Sequence, residues 1–246
     1  MNLAITTESL TKKFGAFTAV DAISLEVAQG EIFGFLGANG AGKTTAMRML
    51  TGLSRPTSGR ASVAGFDVSR QPEQIKRNIG YMSQKFSLYE DLTVKENIRF
   101  YGGIYGLSLK NIGIKTEQLL EELDLREVSK TPVKSLPLGW KQKLAFSISQ
   151  VHDPAIVFLD EPTGGVDPIT RRHFWELIYR AADKGRTVFV TTHYMDEAEY
   201  CDRISIMVDG KIAAMGSPSA LKKEHQAPSI NELFIRLARG TSAGIS

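Results

Sequence analysis

The segment GEIFGFLGANGAGKTTAMRMLTGL, which begins at Gly30, limits the possible folds more than any other part of the chain. Its apolar opening reads as a buried strand, its middle as a glycine-rich loop and its end as a helix. From Gly37 to Thr44 the loop fits G-x-x-x-x-G-K-[ST], and strand before, helix after is the context in which that pattern carries a mechanism. Gly37, Ala38, Asn39, Gly40, Ala41 and Gly42 let successive backbone N–H groups converge on phosphate oxygens, where the helix N-terminus adds partial positive charge. Lys43 can reach β- and γ-phosphates, Thr44 can ligate Mg²⁺, and Thr45 closes the loop.

Further along, the short apolar run AIVFLD ends at Asp160, with Glu161 next. Asp160 reads as a Mg²⁺ holder acting through water, and Glu161 as the general base for an attacking water. Such a pair also suits the cap of a strand-end turn; the phosphate loop tips the reading toward chemistry. Gln84 closes the apolar stretch RNIGYMSQ, where a neutral amide can touch both a metal shell and the attacking water. His193 closes TVFVTTH and can hydrogen-bond a γ-phosphate, although a lone histidine there also serves as a satisfied core residue.

Strand and helix signals alternate around these motifs, which implies an α/β core. Short strands are expected at residues 4–9 and 22–27 with a turn at 12–15, and a strand pair within 60–68. From Phe86 to His152 the character is helical. Thr93 and Glu96 form a capping box, and Leu119, Leu120 and Leu123 follow at helical spacing. Asp167-Pro168 starts another helix, with Phe174, Leu177, Ile178 and Ala181 on its apolar face. A helix is expected through 195–200, then a hairpin turning at Asp209-Gly210, then a C-terminal helix opened by a capping box at Ser229 and Glu232. The expected organisation is therefore a core from 1–85 and 153–225, with an antiparallel β subdomain. An inserted helical subdomain spans 86–152, and a helix and tail span 226–246.

Composition narrows the function classes. The 30 basic and 27 acidic side chains are interspersed, which argues against a dedicated nucleic-acid surface. Cys201 is the sole cysteine, so neither a disulfide framework nor a thiolate metal cage is possible within the chain, and a reducing, cytoplasmic setting is expected. No apolar run approaches the ~18 residues of a membrane span, and the first residues lack a secretory pattern, so any membrane role is expected to be peripheral.

Taken in order and spacing, the motifs resemble the ATP-binding subunit of ABC transporters over nearly the whole chain. That resemblance implies a P-loop NTPase (RecA-like) α/β core and MgATP as ligand. It implies an aromatic stacked on adenine at Phe14, with Val20 beside it. It makes 37–45 the Walker A loop, Gln84 the Q-loop glutamine, 155–160 the Walker B strand and Glu161 the catalytic base. The D-loop then ends at Asp167, and His193 is the switch histidine. The helical insertion would face a transmembrane permease, with Phe86, Ser87, Leu88 and Tyr89 either lining a groove for it or joining the insertion's core.

The resemblance also aligns Leu136, Pro137, Leu138, Gly139 and Trp140 with the family's L-S-G-G-Q signature, which one subunit closes over the ATP of another. Leu136 and Gly139 match; Pro137, Leu138 and Trp140 depart. Pro137 brings neither hydroxyl nor N–H, while Leu138 and Gly139 keep their N–H groups at the start of a helix expected near Gly139. Losing one hydrogen bond to a charged acceptor costs about 1.5–3 kcal/mol, which weakens such a contact without abolishing it. Trp140 either covers a nucleotide across the interface or packs within the helical subdomain. The wording of this loop, with DEPTGGVDP and THYMDEAEYCDRI, is similar to bacterial multidrug ATPases of the ABC-2 exporter type.

The expected function is ATP hydrolysis in a dimer that closes around two nucleotides and powers export through a separate transmembrane subunit. Two rivals remain: a soluble ATPase of the same family working on DNA or ribosomes, and a nucleotide sensor that barely hydrolyses. The first typically carries coiled-coil insertions, zinc-binding cysteines or a second ATPase unit, which this chain lacks. The second is motivated by the altered loop.

Overall fold

β3 (Ile32–Gly37) is buried at every position, as a strand covered on both faces must be. The computed structural model describes residues 2–84 and 88–242, and places this strand inside a six-stranded sheet. Before it come β1 (Leu3–Phe14) and β2 (Phe17–Ala28). After it come α1 (Lys43–Leu50), β4 (Ser58–Val63), β5 (Phe66–Asp67), α2 (Pro72–Asn78) and β6 (Ile79–Met82). The helical stretch follows: α3 (Val94–Ile104), α4 (Leu109–Glu122), a 3-10 turn at Val133–Ser135, and α5 (Leu138–Ile148). The chain then forms β7 (Ile156–Asp160), α6 (Pro168–Asp183), β8 (Thr187–Thr192), a 3-10 helix (Met195–Tyr200), β9 (Arg203–Val208) and β10 (Lys211–Gly216). It ends in α7 (Pro218–Glu224) and α8 (Ile230–Ser242).

The large sheet runs β10-β9-β3-β8-β7-β6, parallel except for the β9/β10 hairpin at its edge. A second sheet, β2-β1-β4-β5, is antiparallel. One apolar cluster joins this second sheet to β3 and α1 through Ile5, Leu10, Phe33, Met47 and Val63. Another packs the opposite side of the large sheet against α6 and α8 through Leu159, Phe174, Ile178 and Leu233. A third, with Ile98, Leu120, Leu136 and Leu144, holds α3, α4 and α5 together.

Several expectations need correction. β1 and β2 are each twice the expected length, and only Gly15 of residues 12–15 lies in their turn. The alternation breaks at bulges, where Ser9 and Ala22 take positive φ, so a period-2 reading stops there while pairing continues. β6 ends at Met82, leaving Gln84 two residues beyond it. Residues 195–200 form a 3-10 helix, and α2 and α7, both only 7 residues, were too short for a period to register.

The first capping box acts as read. Thr93 Oγ1 accepts from Glu96 N at 3.2 Å, and Glu96 Oε2 accepts from Thr93 N at 2.8 Å. At the start of α8 only one half of the expected capping box is seen among the described residues: Ser229 Oγ accepts from Glu232 N at 3.2 Å, while Glu232 Oε1 accepts from Arg236 Nε at 3.1 Å. Among the described residues, no helix is long and apolar enough to cross a membrane.

α5 begins one residue earlier than expected, at Leu138, and meets the first turn of α6. A methyl group on Gly139 would come within 2.8 Å of Thr170 Cγ2. Thr170 cannot swing away freely, because its hydroxyl donates to Asp167 Oδ2 at 2.6 Å. Gly139→Ala should therefore destabilise the chain, and Thr170→Ser, which deletes that methyl but keeps the hydroxyl, should relieve it. We expect a coupling of about 1 kcal/mol or more in denaturant unfolding of the double-mutant cycle. Simple additivity would show that this contact does not restrict position 139.

Candidate nucleotide site

The phosphate-loop pattern lies between β3 and α1, as its sequence context requires. Gly42 takes φ 105°, and a side chain there would strike the Ala19 carbonyl oxygen of β2, so only glycine fits. Gly210, in the β9/β10 turn, donates to Ala41 O at 3.1 Å and accepts from Asp21 N at 2.8 Å. It thus ties the loop to β2. Gly37 and Ala41 are buried, whereas Ala38, Asn39, Gly40 and Thr44 are exposed and Gly42 and Thr45 half-buried.

Three of the expected site side chains meet at Glu161. Lys43 Nζ lies 3.3 Å from Glu161 Oε1 and also donates to Gly37 O at 2.8 Å and Ala38 O at 3.1 Å. Gln84 Nε2 donates to Glu161 Oε2 at 3.1 Å, and His193 Nδ1 lies 3.0 Å from the same oxygen. Glu161 itself has φ 47°, a left-handed conformation that costs a bulky residue about 1–3 kcal/mol. Its N–H is held by Thr191 O and Oγ1, both at 3.1 Å, which fixes that conformation.

Asp160 is buried beside it. Asp160 Oδ1 accepts from Thr191 Oγ1 at 2.7 Å and from Thr44 Oγ1 at 3.4 Å. Burial pushes its carboxyl above the usual range; the Thr191 hydroxyl opposes this, the Glu161 charge adds to it, and Thr44 and Lys43 oppose it. The nearby Tyr81 phenol is pushed up to about 12, by burial first and then by the Asp160 charge.

The remaining site residues lie apart from this knot. Phe14 is 56% exposed at the tip of the β1/β2 hairpin, with Lys12 Nζ 5.2 Å from its ring centre. Val20 is wholly buried in the cluster under β3, so its side chain supports this face and does not line it, contrary to expectation. Asp167 caps α6: its Oδ1 accepts from Ile169 N and Thr170 N, both at 3.0 Å. The Thr170 hydroxyl, then the backbone N–H groups, hold its carboxyl below the usual range.

In the signature-like loop, Leu136 is buried in the helical cluster while Pro137, Leu138 and Trp140 are exposed, Trp140 to 38%. The N–H groups of Trp140 and Lys141 both bond Pro137 O, at 3.0 and 3.1 Å. Among the described residues, no hydrogen bond or ion pair joins this loop to Lys43, Asp160 or Glu161 of the same chain. Phe86 and Ser87 lie outside the described residues. Leu88 is half-buried between two apolar clusters, and Tyr89 stands half-exposed against Phe100, ring centres 4.7 Å apart.

Sequence reasoning missed Thr191, Gly210 and Thr170. Thr191 had a signal, a threonine in the wholly buried strand TVFVTT. Gly210 acts only through its backbone, and Thr170 through a contact 31 residues away, so neither announces itself.

The ABC transporter family profile matches residues 20–164. The chain is 48% identical over 238 residues to the probable multidrug ABC transporter ATP-binding protein YbhF of Escherichia coli (strain K12). That match covers 95% of this chain but only 41% of YbhF, so the chain spans about two-fifths of that relative's length. It is 37% identical over 233 residues to Nod factor export ATP-binding protein I of Rhizobium sp. (strain N33), covering 94% of this chain and 77% of that protein. A solved ATP-binding subunit of an ABC transporter superposes with TM-score 0.85 at 27% identity, covering 95% of this chain and 99% of that one. With the phosphate loop, the paired acids and the sheet order all in agreement, the chain belongs to the ABC transporter family, in its ATP-binding branch.

Proposed function

We propose that this chain binds MgATP, pairs with a second ATPase subunit around two nucleotides, hydrolyses ATP and drives export through separate transmembrane subunits, attached peripherally at the inner face of the membrane. The observation that carries this reading is the meeting of Lys43, Gln84 and His193 on the Glu161 carboxylate, beside Asp160 and Thr44.

The donor set suits Mg²⁺. The Thr44 hydroxyl and Asp160 carboxylate are hard oxygen donors 3.4 Å apart. Mg²⁺ takes few protein oxygens and keeps waters or phosphate oxygens for the rest. Bound there, the ion would neutralise charge on the β- and γ-phosphoryl oxygens.

The chain's own residues do the rest. Backbone N–H groups of the loop and the Lys43 ammonium hold the phosphates. Glu161 takes the proton of the attacking water. Gln84 and His193, already bonded to that carboxylate, hold it in place and can reach the water or γ-phosphate from opposite strands. The loop at 136–140 would complete the partner subunit's site through the N–H groups of Leu138 and Gly139 at the start of α5. For the permease, the exposed apolar side chains Tyr89, Phe100 and Ile104 offer a docking face. Export as the direction follows the Nod factor export relative.

Glu161→Gln should keep MgATP affinity and lower kcat at least a hundredfold, the scale of a lost general base, while trapping an ATP-bound dimer. Unchanged steady-state hydrolysis would remove Glu161 from that role and leave a nucleotide sensor as the better reading.

Lys43→Ala should weaken ATP binding by about ten- to a hundredfold, as loss of charged hydrogen bonds predicts. His193→Ala should spare affinity and slow turnover. Calorimetry giving equal affinity losses for both would contradict the separate roles.

Trp140 reports closure. The chain has two tryptophans, and Trp175 is 1% exposed, so Trp175→Phe leaves one indole at the proposed interface. In the Glu161→Gln background its emission should shift with MgATP, more so at higher protein concentration. A concentration-independent or absent shift would place Trp140 away from the composite site.

A further inference from the structure

Glu197 is wholly buried, although nothing in the nucleotide site touches it. A buried carboxylate is costly unless paired and hydrogen-bonded, and an apolar residue of similar size would fill the space without that penalty. Its pairing here is incomplete. Oε1 accepts from Thr163 Oγ1 at 2.6 Å, Arg171 Nε lies 3.7 Å from the same oxygen, and Oε2 has no hydrogen-bond partner.

What these contacts join explains the cost. Thr163 is buried two residues after Glu161, on the loop that leads to Asp167. Arg171 sits in the first turn of α6, its N–H bonded to Asp167 O at 3.0 Å. The Arg171 guanidinium lies 4.1 Å from the Tyr194 ring centre and 3.3 Å from Asp196 Oδ2. Tyr194 lies beside His193, ring centres 4.2 Å apart and the planes tilted by 36°, and the Glu197 N–H returns to Tyr194 O at 3.2 Å. One carboxylate thus touches the segment after the base and the capped start of α6, while its own helix carries the segment after His193.

We propose that Glu197 is a positioning residue for hydrolysis. Its charge locks the 161–167 loop, the first turn of α6 and the His193–Tyr194 segment into one unit, so that Glu161 and His193 keep their mutual geometry. The role rests on the hydrolytic reading above. It acts through Thr163 and Arg171, with no contact to nucleotide.

The test uses the full chain with Glu197→Gln, Thr163→Val and the double variant, alongside the unsubstituted protein. Folding is checked by alkylation of Cys201, which is buried and whose thiol burial pushes well above its usual range, so only unfolded chain should react readily. We expect Glu197→Gln to protect Cys201, bind MgATP within twofold of the parent, and lose at least tenfold in kcat with little change in KM. Thr163→Val should lose kcat in the same way, and the double variant should be little worse than either, because both cut one link. Unchanged kcat in both single variants overturns the proposal, as does a loss of kcat that only follows the unfolded fraction. If Glu197→Gln fails to fold, Thr163→Val decides alone: parental kcat overturns the proposal, and a kcat-only loss in folded protein supports it. Absence of turnover in the unsubstituted protein would instead sink the hydrolytic reading itself.

Discussion

Parallel strand pairing is the constraint on which the site depends. β3, β8, β7 and β6 lie side by side and point the same way, so their carboxyl ends form a single rim. The phosphate loop leaves that rim from β3, Gln84 follows β6, Asp160 and Glu161 close β7, and His193 follows β8. Ligands of open α/β sheets lie outside this edge because every crossover must leave the strands there. Residues more than a hundred positions apart, such as Lys43 and Glu161, become neighbours through register alone. Buried rings of three of these strands meet at Phe189, which stacks on Phe33 and packs at a tilt against Phe158.

Much of this was legible in the sequence because the informative signals were local. A glycine loop between strand and helix, an apolar run ending in two acids, and an Asp-Pro helix start each state their structure within a few residues. What stayed hidden needs partners from elsewhere. The bulges at Ser9 and Ala22 are set by pairing between β1 and β2, so alternation within either strand could not reveal where it ends. Val20 looked like a nucleotide neighbour by position, but the pleat turns it into the core. Thr191 grips both Asp160 and Glu161 from the next strand, and strand order is not written in any single segment.

The signature-like loop shows how a departure in sequence can be physically mild. A serine ahead of α5 would offer a hydroxyl, but a hydroxyl at that position also caps helix N–H groups. Pro137 offers no cap, and its extended backbone (φ −56°, ψ 150°) still launches the helix. Its carbonyl takes up Trp140 N and Lys141 N, while the donors of Leu138 and Gly139 have no partner among the described residues. A helix start with free donors favours an anion. The substitution thus removes two donors, the hydroxyl and the backbone N–H, and leaves those of Leu138 and Gly139 free of local competition. Gly139 is doubly constrained, since Thr170 crowds it from α6 and, on the proposed reading, a phosphate approaches it from the partner subunit.

The same economy of partners governs Glu161. Lys43 and Glu161 are both nearly buried, so breaking their pair without replacement would strand a charge at a cost of several kcal/mol. On the proposed reading, a phosphate arriving at the loop would replace the carboxylate as the counter-charge of Lys43. Glu161 is not stranded by that exchange, because Gln84 and His193 bond its other oxygen. The oxygen that Lys43 would release, Oε1, would then be free to accept a proton from water. On the proposed reading, binding of the phosphate and unmasking of the base would be one event.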